Sequence, residues 1–280
     1  MNIGIVGLGL IGGSLGLDLR ACGYQVLGVS RREQVCQKAI ERGVVDLASI
    51  DFAILAEAEV IFICTPLAAI LPTVNQLIAV LKPSTVLTDV GSVKVPVVEA
   101  IAPLWSNFVG GHPMAGNSEC GIEAAQTNLF VSKPYVLTPI ASTPLAAVTV
   151  VENIVKNLGA KIYHCTPQAH DRAVSWISHL PVIVSGALIA ACQSEANPEV
   201  LTLAQNLASS GFRDTSRVGG GNPELGLMMA HYNRDELLRS LQYYRQNLDG
   251  LIDLIEQKNW VELEQQLQSN HAARSHFVRE

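Results

Sequence analysis

Three groups of residues in this 280-residue chain have types and spacing suited to chemistry. The first is Gly7-Leu8-Gly9-Leu10-Ile11-Gly12, a G-x-G-x-x-G string that follows a short apolar run and opens a helical pattern. In that context the string cradles a pyrophosphate. Gly7 permits the tight turn, Gly9 lets the backbone approach the phosphates, and Gly12 lets the helix pack closely on the strand. The helix start adds free N–H groups and a partial positive charge. A dinucleotide is the expected ligand, and a glycine-rich turn with no ligand is the alternative.

The end of the next strand selects the dinucleotide. An Asp or Glu roughly 20 residues after the glycines would bind a ribose 2′-hydroxyl. This chain has Ser30-Arg31-Arg32 there, with no acid before Glu33. Two guanidiniums suit a 2′-phosphate through charge-assisted bonds, so NADP is expected over NAD. Two solvated arginines at a helix start are the alternative, although the helix dipole disfavours them there. Thr65-Pro66, closing a later strand, is expected to line the same cofactor.

The second group sits where ligands bind in such sheets, beyond the carboxyl ends of strands. Gly110-Gly111-His112-Pro113-Met114-Ala115-Gly116 places a histidine at the crevice mouth, behind glycines that allow close approach. Histidine is the usual general base near neutral pH, so His112 is the candidate catalytic base. Ser92 either orients the substrate or His112, or caps a helix. Asp89 is either a second base or a partner for N–H groups of its own turn.

The third group lies further along. In Ser210-Gly211-Phe212-Arg213-Asp214-Thr215-Ser216-Arg217, one helical turn puts Asp214 and Arg217 on the same face. Arg217 suits a carboxylate and Asp214 an ammonium, while Arg213 reads as a surface ion-pair partner. His179, in Ser178-His179-Leu180-Pro181, is either a satisfied core residue or a ligand.

These groups need elements to hold them. Apolar runs over 3–6, 25–29, 60–64, 85–88, 108–110, 135–138 and 161–164 read as strands. Helical patterns cover 11–22, 33–42, 68–81 and 145–158. Such alternation predicts a parallel, doubly wound Rossmann-type α/β sheet. Near Cys165-Thr166-Pro167 the pattern changes, with Thr166 able to cap a helix and Pro167 to start it. No convincing strand follows, and Pro181 is expected to kink or break the helix around it. Residues 1–165 are thus read as an NADP-binding domain and 166–280 as an all-helical substrate and dimerisation domain. In the latter, Leu237, Leu241, Tyr244, Leu248, Leu251 and Ile255 form a heptad-like stripe suited to a homodimer seam.

Composition narrows the class. With 49% hydrophobic and 16% charged residues the chain is not disordered, and it suits buried parallel strands or apolar interfaces. A net charge of −6 without a basic run argues against nucleic acid. The six cysteines form no C-x-x-C pair and are expected to be reduced, buried thiols of a cytoplasmic protein. No zinc pattern or metal is suggested. The N-terminus reads as a strand rather than a signal peptide, and no uninterrupted apolar stretch reaches membrane-spanning length.

The glycine string with Gly13-Ser14, His112-Pro113-Met114-Ala115-Gly116 and Ser178-His179-Leu180-Pro181 together resemble the prephenate/arogenate dehydrogenases. The likeness spans nearly the whole chain, and the His-Pro-Met string is the most specific part. The resemblance implies oxidative decarboxylation of a cyclohexadienol in tyrosine biosynthesis, with hydride passing to a nicotinamide and the ring becoming aromatic. It implies that His112 accepts the hydroxyl proton, that Ser92 binds near that hydroxyl, that His179 contacts substrate between the domains, and that Arg217 binds a substrate carboxylate. An acid at Asp214 and the arginines of NADP binding lead to arogenate as the expected substrate. Prephenate, and a β-hydroxyacid or imine reductase of the same two-domain plan, are the alternatives. Neither a fused chorismate mutase segment nor an appended regulatory domain is expected.

Overall fold

The computed structural model describes residues 1–117 and 119–278. Its first half alternates strands and helices. These are β1 Asn2–Val6, α1 Leu10–Ala21, β2 Gln25–Val29, α2 Glu33–Glu41, β3 Leu47–Ser49, β4 Val60–Ile63, α3 Leu67–Leu77, β5 Val86–Asp89, α4 Val95–Ile101, β6 Phe108–Pro113, β7 Pro134–Thr138, α5 Leu145–Asn157 and β8 Lys161–His164. The eight strands form one sheet in the order β3-β2-β1-β4-β5-β6-β7-β8. Its first six follow the doubly wound order, with the reversal between β1 and β4 that opens a ligand crevice. Two apolar clusters cover the sheet. One gathers Ile3, Ile5, Leu15, Leu19 and Phe62, and the other gathers Ile61, Ile63, Val74, Leu87 and Ile101.

The sheet departs from the expected one in three places. β3 was not foreseen, because three residues carry no period and Leu47 is exposed at the sheet edge. β7 runs antiparallel to β6, so the sheet is mostly rather than wholly parallel. β6 does not stop at Gly110 but continues through His112 to Pro113. It leaves β5 after Thr88↔Val109 and pairs onward with β7, His112 lying opposite Val136. The extension needs Gly111, where a Cβ would sit 2.6 Å from the Asp89 carbonyl oxygen.

From residue 167 onward the described chain is helical. α6 Pro167–Val174 and α7 Leu180–Gln193 are followed by α8 Pro198–Leu207, α9 Ser210–Ser216, α10 Pro223–Tyr232, α11 Arg234–Glu256 and α12 Trp260–Phe277. Thr166 caps α6, its hydroxyl accepting from Ala169 N–H at 3.1 Å. Pro181 does not break the run. A π-turn over Ser175–His179 joins α6 to α7, with Leu180 N–H donating to the Ser175 carbonyl five residues back. The wide turn accommodates a proline that has no N–H to return to the preceding turn.

The continuous helix Pro167–Gln193 is long and apolar enough to cross a membrane by length and composition. Length and composition alone do not assign a span: Asp171, Arg172, Pro181 and Gly186 interrupt the apolar run of this helix, consistent with the expectation that no uninterrupted apolar stretch reaches spanning length. Of the cysteines, expected to be buried, only Cys36 is: Cys64 and Cys165 are half-buried, Cys22, Cys120 and Cys192 are exposed, and all six are free thiols. The heptad-like stripe falls within the single helix α11, where Leu237 is buried while Tyr244, Leu248 and Ile255 are exposed. By contacts the chain forms two compact units, one from Met1 to Asn233 and one from Arg234 onward.

Candidate active site

The glycine string forms the turn from β1 into α1. Gly7 has φ +98°, and a Cβ there would meet the Cys64 carbonyl oxygen at 2.6 Å, so only glycine fits. A Cβ on Gly12 would lie 2.0 Å from the Gly7 carbonyl oxygen. Gly9 differs, because the space above it is open to at least 4 Å. Gly9 is the N-cap of α1 and no side chain caps it. The first turn of α1, at Leu10 and Ile11, therefore offers N–H groups to a ligand. Leu8 instead turns into the core. Nearby, Thr65 Oγ1 is buried without a hydrogen-bond partner, while Pro66 is exposed at the start of α3. An open cradle, an uncapped helix and an orphaned hydroxyl fit a dinucleotide along this edge. At the end of β2, Ser30 is half-buried and Arg31 and Arg32 are exposed. Neither guanidinium has an ion-pair or hydrogen-bond partner among the described residues.

His112 stands at the head of a buried hydrogen-bond chain that the sequence reading missed. Its Nδ1 lies 2.8 Å from His170 Nε2, and His170 Nδ1 lies 2.7 Å from Asp171 Oδ1. Both partners come from the first turns of α6. Asp171 also accepts from the backbone N–H groups of Lys94 and Val95, at 2.7 and 2.8 Å. It thereby caps α4 from another element, with both carboxylate oxygens accepting. The chain fixes proton positions in sequence. With His170 neutral, its Nδ1–H donates to Asp171, its Nε2 accepts from His112 Nδ1–H, and the His112 lone pair is left on Nε2.

The other flank is an ion pair. Lys94 and Asp89 are both fully buried, and Lys94 Nζ donates to Asp89 Oδ2 and, at 2.6 Å, to the Gly111 carbonyl. Asp89 accepts further bonds from Gly91 N–H at 2.8 Å and Gly111 N–H at 3.1 Å. These three bonds hold the β5 and β6 ends together and fit the reading of Asp89 as a partner of local N–H groups. Lys94 is thus joined to the neighbour of His112 by its side chain and to Asp171 by its backbone. Burial first, with further lowering by the neighbouring His170, Lys94 and His179, holds His112 well below the ordinary imidazole range. Burial likewise pushes the Lys94 ammonium down, against the raising effect of Asp89.

Ser92 is half-buried and makes no hydrogen bond to His112 among the described residues. Nor is it the helix cap: α4 begins after Lys94, and Asp171 supplies the capping oxygens. His179 is fully buried in the π-turn, with Asn233 Nδ2 3.1 Å from its Nδ1. Burial pushes it down to about 4. Asp214 and Arg217 are exposed at α9, and Asp214 pairs with Arg213 at 3.2 Å rather than with Arg217. The structure thus brings His112 and His179 into one electrostatic neighbourhood and leaves Arg217 and Asp214 on the surface. Surface concavities at 195–206 contain none of these residues. No group of three or more His, Cys, Asp or Glu among the described residues is arranged to hold a metal.

Comparison with known proteins places this arrangement. Residues 15–164 match the family described as "Prephenate dehydrogenase, nucleotide-binding domain", and residues 166–269 match "Prephenate dehydrogenase, dimerization domain". The chain is 31% identical over 262 residues to a prephenate dehydrogenase of Bacillus subtilis (strain 168), covering 91% of this chain and 70% of that protein. A crystal structure of Synechocystis arogenate dehydrogenase is 55% identical, with a TM-score of 0.90, covering 99% of this chain and 100% of that one. A prephenate dehydrogenase from A. aeolicus, crystallised with hydroxyphenyl propionate and NAD+, is 26% identical with a TM-score of 0.94, covering 99% and 98%.

Proposed function

The chain belongs to the prephenate dehydrogenase family, and from that premise we propose that it oxidises and decarboxylates arogenate with NADP, using His112 as the base. At the coarser level it is a nicotinamide-dependent prephenate or arogenate dehydrogenase of tyrosine biosynthesis. The observation that carries the catalytic reading is the His112–His170–Asp171 chain, which supports a neutral imidazole with its lone pair on Nε2.

The bound nicotinamide supplies the hydride acceptor. His112 Nε2 takes the proton of the ring hydroxyl as positive charge builds on its carbon. The imidazolium so formed keeps its Nδ1–H on His170, with the Asp171 carboxylate behind it. Because the field around His112 disfavours the charged form, the proton is readily given up before the next turnover. Ser92, His179 and Arg217 are proposed to bind substrate, Arg217 through a carboxylate. Asp214, on the short helix that Arg217 closes, is proposed to leave Arg213 for the substrate ammonium.

NADP is supported by Arg31 and Arg32, which have no partner among the described residues, and by the open space at Gly9. Arogenate is supported by 55% identity to the Synechocystis enzyme. Prephenate is the second reading, favoured by the printed activities of the B. subtilis and A. aeolicus relatives. We place a domain boundary at 165/166 and a homodimer contact on the helical region. The latter is supported by the match to a dimerization domain and by exposed Leu248 and Ile255 on α11. A cytoplasmic location is supported by six free thiols.

One experiment tests the reading: initial rates with arogenate and prephenate, each with NADP and NAD. The highest kcat/KM is expected for arogenate with NADP. A preference for prephenate refutes the Asp214 argument, and a preference for NAD refutes the arginine argument.

A further inference from the structure

Asn233 faces two groups of the site at once. Its Nδ2 lies 2.8 Å from the Asp171 carbonyl oxygen and 3.1 Å from His179 Nδ1. A backbone carbonyl has no hydrogen to give, so the group facing it is the amide NH2 and not the amide oxygen. One N–H is spent there and the other points at His179. An amide NH2 donates and does not accept, which makes His179 Nδ1 the acceptor. A neutral imidazole with an accepting Nδ1 carries its proton on Nε2. Burial keeps His179 neutral through the physiological range, pushing it down to about 4. Yet His179 Nε2 is buried and has no hydrogen-bond partner. Buried donors are rarely left without an acceptor, and such an orphan marks a place for a ligand or water.

From this geometry we infer that Asn233 is a positioning residue that locks His179 as an Nε2–H donor, directed at an oxygen acceptor of the substrate. The substrate half rests on the functional reading above; the tautomer does not. The two histidines then have opposite assignments. His112 presents a lone pair on Nε2 and His179 presents a proton on Nε2. Both are set by Asp171, whose carboxylate acts through His170 and whose carbonyl acts through Asn233. One residue thus keeps the site's base and its donor distinct. If both imidazoles were free to choose tautomers, either could present the wrong nitrogen to the substrate.

The first test needs no substrate. In the full chain labelled with 15N-histidine, proton–nitrogen correlation spectra report the tautomer of each ring, and His179→Gln assigns the His179 signals by their loss. The expected spectrum at neutral pH shows His179 protonated at Nε2 and unprotonated at Nδ1. A proton on Nδ1 overturns the proposal. The second test is kinetic. In Asn233→Asp the carboxylate accepts from Nδ1–H and draws the proton away from Nε2. The expected result is a rise in KM of about 10-fold or more with kcat within about 3-fold. In the His179→Gln background the same substitution is expected to change KM by less than about 2-fold, because the tautomer no longer exists. An equal KM penalty in both backgrounds, or none in the parent, overturns the proposal. Rates are measured with whichever of arogenate and prephenate is turned over. If neither is, the functional reading fails while the spectra still decide the tautomer, and they do so equally if Asn233→Asp does not fold.

Discussion

The residues around His112 and those of α9 are both candidate site residues, and they are held in opposite ways. His112, His170, Asp171, Asp89 and Lys94 are buried, and each is bonded to residues far away in sequence. Asp214 and Arg217 are exposed, and among the described residues Asp214 pairs with its neighbour Arg213. Arg31 and Arg32 share that openness. The interior group has its geometry fixed before any ligand arrives, which suits proton transfer, where position and protonation state must be set in advance. Among the described residues Arg31, Arg32 and Arg217 have no ion-pair partner and Asp214 has only an exposed one, which suits capture of charged groups. Changes to the first group are therefore expected to affect both turnover and stability, and changes to the second to affect binding alone.

The strongest test of that contrast is His112→Asn. It keeps polarity and approximate size but removes the base, and kcat is expected to fall by about 10² or more while NADP binding persists. Steady-state rates with fluorescence titration of the cofactor measure both, and unchanged turnover refutes the catalytic assignment. Asp171→Asn should follow. It replaces one of two accepting oxygens, so a loss of about 10- to 100-fold in kcat and about 1–3 kcal/mol in stability is expected, read from rates and urea unfolding. A loss of activity without a loss of stability would separate the α4 cap from the proton chain.

Acid is the third probe. His112 and His179 bind protons in the folded state only well below the imidazole value of about 6.5 found in an unfolded chain. Between those values the unfolded state holds more protons, so stability rises with pH there. The contribution of His179 is complete above about pH 6.5 and is lost as pH falls toward about 4. Between pH 6.5 and 5 that loss is about 2 kcal/mol. The urea midpoint of the parent should drop through this window and that of His179→Gln should drop less; equal slopes count against the assignment.

The smallest structural effect belongs to Arg31→Ala with Arg32→Ala. NADP affinity should weaken about 10-fold, NAD affinity should hardly change, and stability should stay within about 0.5 kcal/mol. Equal losses for the two cofactors would show that these side chains do not read the 2′-phosphate.

What was legible in the sequence followed the same division. The glycine turn, most strands and the capped start of α6 have local signals: a motif, a period, a Thr-Pro pair. His112 stood out for its glycines. His170 and Asp171 had no such mark, because they look like ordinary residues of a helix's first turns and their meaning lies in partners 58 and 77 residues away. Lys94 was passed over because lysine is seldom buried. The only hint was a lone lysine within an apolar run five residues after Asp89. The extent of β6 was hidden by its own composition, since glycine, histidine and proline read as loop.

The π-turn at Ser175–His179 adds one residue to an otherwise continuous helix. One residue of α-helix is about 100° of rotation, so the extra one rotates α7 about the helix axis relative to α6. Deleting a single residue within 175–179 would leave the composition nearly unchanged and turn the whole of α7 by more than a quarter circle. The π-turn is thus an angular offset, setting which way α7 points relative to the helix that carries His170 and Asp171.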